Sequence, residues 1–259
     1  NTQTIEHLAR HLENAERSVS AVHKITDDHP DMDWQDAYAI QDAIRAIKEQ
    51  RGVRIAGLKM GLTSHAKMRQ MGVVDPIHGF ITDYGSVPEG GVIDTRELIH
   101  PKVEAEIAFV TSRALSGPGC HVGTVLAATA FVLPAVEVID SRYENFRFDL
   151  KSVIADNTSS ARYVLGGQPL PVQGLELHNL GVVLERNGRI VATASAAAVL
   201  GHPAQSVAML ANMLGERGRE IPAGTLILTG GVTEAVTVEA GDNINVRFQH
   251  LGSVSMRFV

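Results

Sequence analysis

The sequence predicts an α+β protein in which a helical N-terminal part precedes a larger, mainly β part. Apolar residues recur at helical spacing over the first fifty residues, whereas β-branched runs and turns rich in Gly and Pro dominate afterwards. No internal repeat or low-complexity linker separates the two parts. We therefore expect a helical subdomain over residues 1–75 and a β-rich domain over residues 76–259, joined in one integrated structural unit.

Two amphipathic helices are predicted at the start of the chain. Apolar residues from Ile5 to Val22 repeat at three- and four-residue steps, with Thr4 as the N-cap. After an acidic turn, Asp33 caps a second helix, which Gly52 ends. Each helix carries one apolar face, as in an antiparallel pair. A further short helix is predicted over residues 63–71.

Strands are predicted where short apolar or β-branched runs end at turn residues. The strongest hairpin signal is Asn187-Gly188, which separates two such runs. Pro203 begins one more helix, which ends at Gly218. The predicted strands span 55–60, 102–111, 131–139, 181–185, 189–193, 226–228, 236–238 and 244–248.

Composition limits the classes of function. No apolar run among the 259 residues approaches the roughly 18 residues of a membrane span. A net charge of −6 without a Lys/Arg cluster argues against nucleic acids and anionic membrane surfaces as partners. The single cysteine, Cys120, excludes an internal disulfide and any cysteine-based zinc site. Together with the lack of an apolar signal core in the first ten residues, this predicts a cytoplasmic protein.

The strongest candidate site begins with two glutamates in a predicted strand. Strand side chains alternate, so Glu104 and Glu106 share one face, with about 7 Å between their Cα atoms. Ala108 and Val110 continue that face with apolar residues, which indicates partial burial rather than an ordinary solvated face. Buried carboxylates need a counter-charge, and an oxygen-only ligand set suits Mg²⁺ or Mn²⁺ better than zinc.

Two more charges stand alone in apolar strands. Glu137 is either a third ligand or one half of a structural ion pair, with Arg142 or Lys102 as its partner. Lys59 has glycines close by on both sides, which permit a ligand to approach. It can act as an acid or base or hold a carboxylate. The alternative is an edge lysine with its ammonium group in water.

Several polar loops follow apolar segments and are candidates of lower specificity. They contain Asp75, the residues 155–160, and the Thr229-Gly230-Gly231 turn, whose backbone N–H groups could face an anion. Each of them also fits plain turn chemistry. The eleven histidines show no HExxH spacing, and the sequence contains no nucleophile elbow, P-loop or dinucleotide fingerprint.

The order of these motifs along the chain is specific, and it resembles the fumarylacetoacetate hydrolase superfamily. Within it, the chain looks like the hydratase/decarboxylase branch of the catechol meta-cleavage pathway, over nearly its whole length. Stretches at 57–64, 116–121 and 140–146 look most like the decarboxylases. The motifs are G-L-K-M-G (57–61), K-V-E-A-E-I (102–107), P-A-V-E-V-I-D-S-R (134–142), A-D-N-T-S-S (155–160) and L-T-G-G (228–231).

The resemblance implies a fold and a set of site residues. The implied fold is a mixed β-roll with an N-terminal helical part, in which the β-rich domain is catalytic. The implied ligands of Mg²⁺ or Mn²⁺ are Glu104, Glu106 and Glu137. The implied catalytic residues are Lys59, Asp75 and Ser159, and the implied substrate-binding residues are Leu58, Lys59, Thr229 and Gly230.

The resemblance also implies an activity. We expect metal-dependent decarboxylation of 2-oxo-3-hexenedioate to 2-hydroxypenta-2,4-dienoate and CO₂, with hydration of 2-oxopent-4-enoate as the alternative. A third alternative is a non-catalytic partner subunit of a hydratase/decarboxylase complex. The expected partners are further copies of the chain and a homologous hydratase. Because the net charge of −6 repels a dianionic substrate, the site needs a bound cation and a local lysine.

Overall fold

Two β-sheets form the framework of the protein, and helices cover one edge of the larger sheet. The structure is a computed structural model that describes residues 2–65, 68–69 and 72–259. Within these ranges the α-helices are α1 (Thr2–Arg17), α2 (Trp34–Gln50), α3 (Val122–Ala127), α4 (Leu150–Ala155) and α5 (Pro203–Gly215). None of the helices in the described ranges is long and apolar enough to cross a lipid bilayer.

The strands follow the chain order. They are β1 (Ile55–Gly61), β2 (Ile77–Thr82), β3 (Ser86–Val87), β4 (Val92–Ile93), β5 (Lys102–Thr111), β6 (Thr129–Ile139), β7 (Ser160–Leu165), β8 (Gly181–Arg186), β9 (Arg189–Ser195), β10 (Leu226–Leu228), β11 (Val236–Thr237), β12 (Asn243–Phe248) and β13 (Gly252–Phe258). The mixture of helix and sheet confirms the α+β class predicted from the sequence.

The larger sheet has the strand order β2-β1-β10-β5-β6-β7-β3, and β11 also pairs with β5. Strand β10 lies parallel to β1 and antiparallel to β5, so a strand from the C-terminal part of the chain joins the two. The second sheet has the order β4-β13-β12-β8-β9. Alternate residues of β5, such as Val103 and Ile107, pack with Val246 and Phe258 of the second sheet in the main core.

The N-terminal helices pack on β2, at the edge of the larger sheet. Leu12 of α1 and Ile40 of α2 join Phe80 of β2 in a second apolar core. The predicted start of α2 is confirmed, because Asp33 and Asp36 form a capping box. The charged faces of both helices remain toward solvent or toward each other, as their amphipathic pattern predicts.

Helix α1 differs from the sequence prediction at both ends. It begins at Thr2, so Thr4 lies inside the helix and is not its N-cap. It ends at Arg17 rather than near Val22. Val19 has a φ of 51°, which a helix does not allow, and Val22 instead pairs with Tyr143 in an isolated β-bridge. The apolar periodicity extends beyond the helix in part because Val22 has a tertiary partner.

Most predicted strands are confirmed to within two residues at each end. The 186–189 hairpin joins β8 to β9, and the helix that begins at Pro203 is α5. Strands β2, β3, β4, β7 and β13 and helices α3 and α4 are present without having been predicted. The predicted short helix over 63–71 includes residues outside the described ranges. Strand β1 lies within the larger sheet, although the predicted domain boundary at residue 75 places it with the helices.

Candidate metal centre

Three glutamates from two neighbouring strands meet on one face of the larger sheet. Glu104 and Glu106 come from β5, and Glu137 comes from β6. Each offers a carboxylate oxygen, and these three atoms all lie within 4.8 Å of one another. The exposed fractions of the three residues are 8%, 0% and 0%, respectively. The three side chains therefore form a closed cluster of potential anions inside the protein.

The antiparallel ladder between β5 and β6 brings the cluster together. Glu104 is the register partner of Glu137, and Glu106 lies two residues further along β5 on the same face. The same face continues with Ala108 and Leu133, which belong to a small apolar cluster. The prediction of a partly buried face is confirmed, and the alternative of a solvated Glu-x-Glu face is wrong.

The residues that the structure describes leave part of the charge on this cluster uncompensated. Within the described part of the chain, no hydrogen-bond donor reaches Oε1 of Glu106 or Oε1 of Glu137. Burial raises the pKa of Glu106 well above its ordinary value, and the neighbouring Glu137 and Glu104 raise it further. Burial also raises the pKa of Glu137. Three close carboxylates, of which Glu106 and Glu137 have an oxygen that no donor among the described residues reaches, fit a hard divalent cation such as Mg²⁺ or Mn²⁺.

Lys59 supplies one positive charge to the cluster. Its Nζ lies 3.0 Å from Oε2 of Glu137 and donates a hydrogen bond to the carbonyl oxygen of Thr158 at 2.9 Å. Lys59 is only 2% exposed, so the alternative of an edge lysine in water is wrong. Strand β1 reaches the cluster through β10, because Lys59 pairs with Leu228 and Leu228 with Ala108 of β5.

The ion pair of Glu137 differs from the structural alternative considered from the sequence. That alternative named Arg142 or Lys102 as the partner. Arg142 instead forms a buried ion pair with Asp156, and Nζ of Lys102 lies 4.1 Å from the centre of the Phe146 ring. The partner is Lys59, which strand pairing brings in from a distant part of the sequence.

A strained turn after α4 holds the carbonyl group that accepts from the lysine. Asn157, Thr158 and Ser159 have φ values of 50°, 52° and 58°, respectively, which non-glycine residues adopt rarely. The Asn157 side chain accepts from the N–H of Phe80 and donates to its carbonyl, both at 2.9 Å. A Cβ on Gly79 would lie 2.6 Å from both Asn157 Oδ1 and Thr158 Oγ1. The sequence indicated a polar loop here, without showing which backbone group serves the site.

Ser159 lies in this turn, and its hydroxyl bonds to a carboxylate outside the glutamate cluster. It donates to Oδ2 of Asp156 at 3.4 Å. Burial raises the pKa of Asp156 to about 6, although the neighbouring Arg142 opposes that shift. The pair formed by Asp156 and Arg142 anchors the beginning of the strained turn. Ser159 is therefore close in sequence to the lysine's carbonyl partner but bonds to a different buried carboxylate.

The turn after β10 contacts two of the glutamates. The N–H of Gly230 donates to Oε2 of Glu106 at 2.7 Å. Gly230 has a φ of 95°, a conformation that favours glycine. A Cβ on Gly231 would lie 2.9 Å from the carboxyl carbon of Glu104, so this turn approaches closely. The hydroxyl of Thr229 donates to the carbonyl of Ile107 at 2.8 Å, which ties the turn to β5.

Two predicted site residues lie apart from the carboxylates. Leu58 neighbours Lys59 on β1, so the alternation of the strand directs its side chain to the opposite face of the sheet. Asp75 is exposed and lines a cavity of about 580 Å³ together with Tyr38 and His78. None of the three glutamates lines that cavity. The structure therefore does not bring Asp75 to the cluster.

The chain is similar to known proteins over its whole length. A family model described as "Fumarylacetoacetate (FAA) hydrolase C-terminal" matches residues 58–259. The chain is 64% identical over 252 residues to a 4-oxalocrotonate decarboxylase of Pseudomonas sp. (strain CF600), which covers 97% of this chain and 96% of that protein. A 2-keto-4-pentenoate hydratase of Paraburkholderia xenovorans (strain LB400) is 37% identical, with 99% of this chain and 95% of that protein covered.

A solved structure agrees closely with the fold. It is that of 4-oxalocrotonate decarboxylase from Pseudomonas putida G7, complexed with magnesium and adipate. The TM-score is 0.98 at 59% sequence identity, and the match covers 100% of this chain and 98% of that chain. The resemblance inferred from the sequence motifs is thereby confirmed.

Proposed function

The chain belongs to the fumarylacetoacetate hydrolase family, and from that premise we propose that it decarboxylates 4-oxalocrotonate (2-oxo-3-hexenedioate) to 2-hydroxypenta-2,4-dienoate and CO₂. It is a carboxy-lyase that depends on Mg²⁺ or Mn²⁺. The observation that carries this function is 64% identity to a decarboxylase across 97% of this chain. The buried cluster of three glutamates and Lys59 supports a metal-dependent reaction at this position of the fold.

The metal is held by Glu104, Glu106 and Glu137 in this proposal. Two observations support the assignment: the oxygens of the three residues lie close together, and no donor among the described residues reaches Oε1 of Glu106 or Oε1 of Glu137. When bound, the divalent cation acts as a Lewis acid for the 2-oxo group of the substrate. The N–H of Gly230 keeps the carboxylate of Glu106 in a fixed orientation, because it occupies Oε2 and leaves Oε1 available.

Decarboxylation breaks the C5–C6 bond of the substrate and releases C6 as CO₂. The electron pair moves through C4 and C3 to the C2 oxygen, which then takes a proton to give the dienol. Lys59 is the proposed source of positive charge and of the proton at the C2 oxygen of the substrate, since its ammonium group is buried beside Glu137. The Thr158 carbonyl and Glu137 fix the position of that ammonium group.

The remaining proposed roles belong to Leu58, Thr229, Gly230, Ser159 and Asp75. The backbone around Leu58 and the turn at Thr229 and Gly230 flank Lys59 and Glu106, so they can contact the substrate. Ser159 adjoins Thr158, and we assign it a role beside the lysine. We also propose a catalytic role for Asp75. In that role its carboxylate must contact a substrate that is bound at the glutamate cluster, either directly or after its segment moves.

Hydration of 2-oxopent-4-enoate is the alternative reaction on the same scaffold. The hydratase relative is 37% identical, far below the 64% identity of the decarboxylase relative, so decarboxylation is the better supported activity. We also propose that the chain assembles with further copies of itself and with a homologous hydratase, and that it acts in the cytoplasm. The free, buried Cys120 is compatible with a reducing compartment.

Purified protein tests the function directly. We expect CO₂ release from 4-oxalocrotonate with Mg²⁺ or Mn²⁺, none after treatment with a chelator, and no loss of dienol absorbance with 2-hydroxypenta-2,4-dienoate. The variant Glu104→Gln should lose CO₂ release at saturating Mg²⁺, whereas the control Glu6→Gln, at an exposed position of α1, should not. Dienol consumption without CO₂ release would establish the hydratase. An inactive protein that stimulates a hydratase would establish a non-catalytic subunit.

A further inference from the structure

Lys102 presents a positive charge next to the glutamate cluster without a carboxylate partner of its own. It is the first residue of β5 and lies two positions before Glu104, so both side chains leave the same face of the strand. Its Nζ lies 4.1 Å from the centre of the Phe146 ring. Among the described residues, Lys102 takes part in none of the ion pairs, including the nearby pairs of Lys59 and Arg142.

An unusual turn places the aromatic ring against Lys102. Asn145 and Phe146 have φ values of 56° and 59°, so two consecutive non-glycine residues adopt the left-handed conformation. This turn belongs to the 140–146 stretch that resembles the decarboxylases most. Phe146 also contacts the ring of Phe148, with the ring centres 6.0 Å apart. The turn thus forms an aromatic wall beside the start of β5.

His100 adds a second polar group at the same position. Its ring centre lies 5.0 Å from that of Phe146. Its Nε2 is buried, and no hydrogen-bond partner reaches it from the described residues. The backbone N–H groups of Ile99 and His100 donate to the Asp140 carboxylate at 2.8 and 2.7 Å, respectively, which fixes this segment. A buried nitrogen without a partner is costly unless a ligand or water satisfies it.

We propose that Lys102 and His100, backed by Phe146, bind the distal carboxylate of the substrate and thereby select dicarboxylates. This inference rests on the proposed function, because it names the subsite for the C6 carboxylate of the same reaction. Two residues along a strand span about 6.8 Å, which is of the order of the length of a six-carbon chain. A substrate anchored at the glutamate cluster by its 2-oxo acid end can therefore reach Lys102 with its other end.

The surroundings of Lys102 suit a carboxylate that must leave as a neutral molecule. The attraction between the Lys102 ammonium group and the Phe146 ring is weak. An incoming carboxylate therefore competes with an aromatic ring and not with another anion. The rings of Phe146 and Phe148 offer apolar contact to CO₂ once the charge has moved away. Because Lys102 attracts the charged ground state, we expect it to contribute to substrate binding more than to the chemical step.

Two ligands that differ only at the distal end test the subsite. These are 2-oxoadipate and 2-oxohexanoate, which have the same length and the same 2-oxo acid end, whereas only the former has a second carboxylate. Calorimetry on the magnesium-loaded protein gives their Kd values without requiring turnover. Mn²⁺ affinity, measured by electron paramagnetic resonance, and the circular dichroism spectrum report whether the glutamate cluster and the fold are intact.

The variants Lys102→Met and Lys102→Gln should weaken 2-oxoadipate binding roughly 10- to 100-fold, which is the range expected for one charge-assisted contact. Binding of 2-oxohexanoate and Mn²⁺ should change less than about twofold on the same basis. KM for 4-oxalocrotonate should rise while kcat stays within a few-fold, and Lys102→Arg should restore most of the affinity. The matched control is Lys151→Met, at a lysine that donates a solvent-exposed hydrogen bond to the carbonyl of Pro30 at 3.2 Å.

Two outcomes overturn the subsite. One is an unchanged affinity for 2-oxoadipate in both folded variants, and the other is an equal loss for 2-oxoadipate and 2-oxohexanoate. Failure of the proposed function is separate, since it appears as a wild-type protein that releases no CO₂. If such a protein still preferred 2-oxoadipate and that preference depended on Lys102, the subsite would be supported and the reaction would be a different one.

Discussion

Glu104 and Glu137 face each other as register partners across the ladder of β5 and β6, near the centre of the larger sheet. Their backbones are fixed by strand pairing, so their carboxylates cannot separate to relieve repulsion. The backbone of Glu106, two residues further along β5, is fixed by strand pairing in the same way. The protein therefore maintains a concentrated negative charge in its interior, which Lys59 offsets in part and a bound divalent cation would offset further.

Glu106→Gln should lower the affinity for metal while leaving the metal-free protein as stable as the wild type, or more stable. The glutamine has nearly the same shape and removes one buried like charge. Thermal unfolding with and without Mg²⁺ measures both effects. We expect the Mg²⁺-dependent rise in Tm of the wild type to be largely lost. A full Mg²⁺ response in the variant would contradict the assignment of Glu106 as a ligand.

Gly79→Ala should reduce decarboxylation roughly 10- to 100-fold, because a displacement of about 1 Å at a catalytic group has effects of this size. Its Cβ would lie 2.6 Å from atoms of Asn157 and Thr158, so the turn that holds the lysine must move. The measurement is kcat at saturating metal. Gly181→Ala is the control, since it places a methyl group in a strand with 3.5 Å to its nearest neighbour. Equal kcat values for the two variants would show that the position of the turn does not affect catalysis.

His78 should make the protein less stable in acid. Burial, followed by the charges of Arg217 and Arg219, lowers the pKa of His78 from 6.5 to about 3. The unfolded chain therefore binds a proton more tightly than the folded one, and stability falls as pH decreases from about 6.5 toward 3. The slope contributed by this group is at most about 1.4 kcal/mol per pH unit.

Denaturant unfolding between pH 7.5 and pH 4.5 measures this contribution. The variant His78→Phe retains a ring to stack on Tyr38, whose ring centre lies 4.6 Å away, and should show a smaller loss of stability in acid. The control His7→Phe alters an exposed histidine of α1 and should keep the wild-type slope. If both variants lost stability in acid as the wild type does, His78 would not be the responsible group.

Lys48→Met should destabilise the protein by about 3–5 kcal/mol, because it removes the buried counter-charge that Glu13 and Glu16 share, and the remaining cation beside Glu13, Arg51, is partly exposed. The Nζ of Lys48 lies 2.7 Å from a carboxylate oxygen of Glu13 and 2.8 Å from one of Glu16. The control Arg45→Met breaks an exposed pair with Glu49 on the same helix and should cost less than about 1 kcal/mol. Chemical denaturation compares the two, and similar losses would show that Lys48 has no special role.

The glutamate cluster could be predicted from the sequence because its residues contrast with their neighbours. Glu104 and Glu106 alternate with core residues on a strand of regular geometry, and Glu137 stands alone in a strongly apolar strand. Local pattern is sufficient for such positions, since the burial of the strand determines the burial of each side chain. The α2 cap at Asp33 could be predicted for the same reason.

The contacts between distant segments could not be predicted in this way. The pairing of Glu137 with Lys59 depends on β10 lying between β1 and β5. The alternatives considered from the sequence, Arg142 and Lys102, were wrong because the sequence does not show that strand order. The turn at Asn157 is likewise defined by its bonds to Phe80 on β2, a strand that the pattern did not reveal. Tertiary partners, rather than local propensity, determine these features.

The position of β10 has a consequence for how the protein is made. The residues 226–228 separate β1 from β5, so Lys59 can reach the glutamates only after nearly the whole chain has left the ribosome. Until then, β5 and β6 can pair while their three carboxylates lack the lysine. Because such long-range pairing slows folding, the nascent protein passes through a period in which its most highly charged interior surface is still open to water.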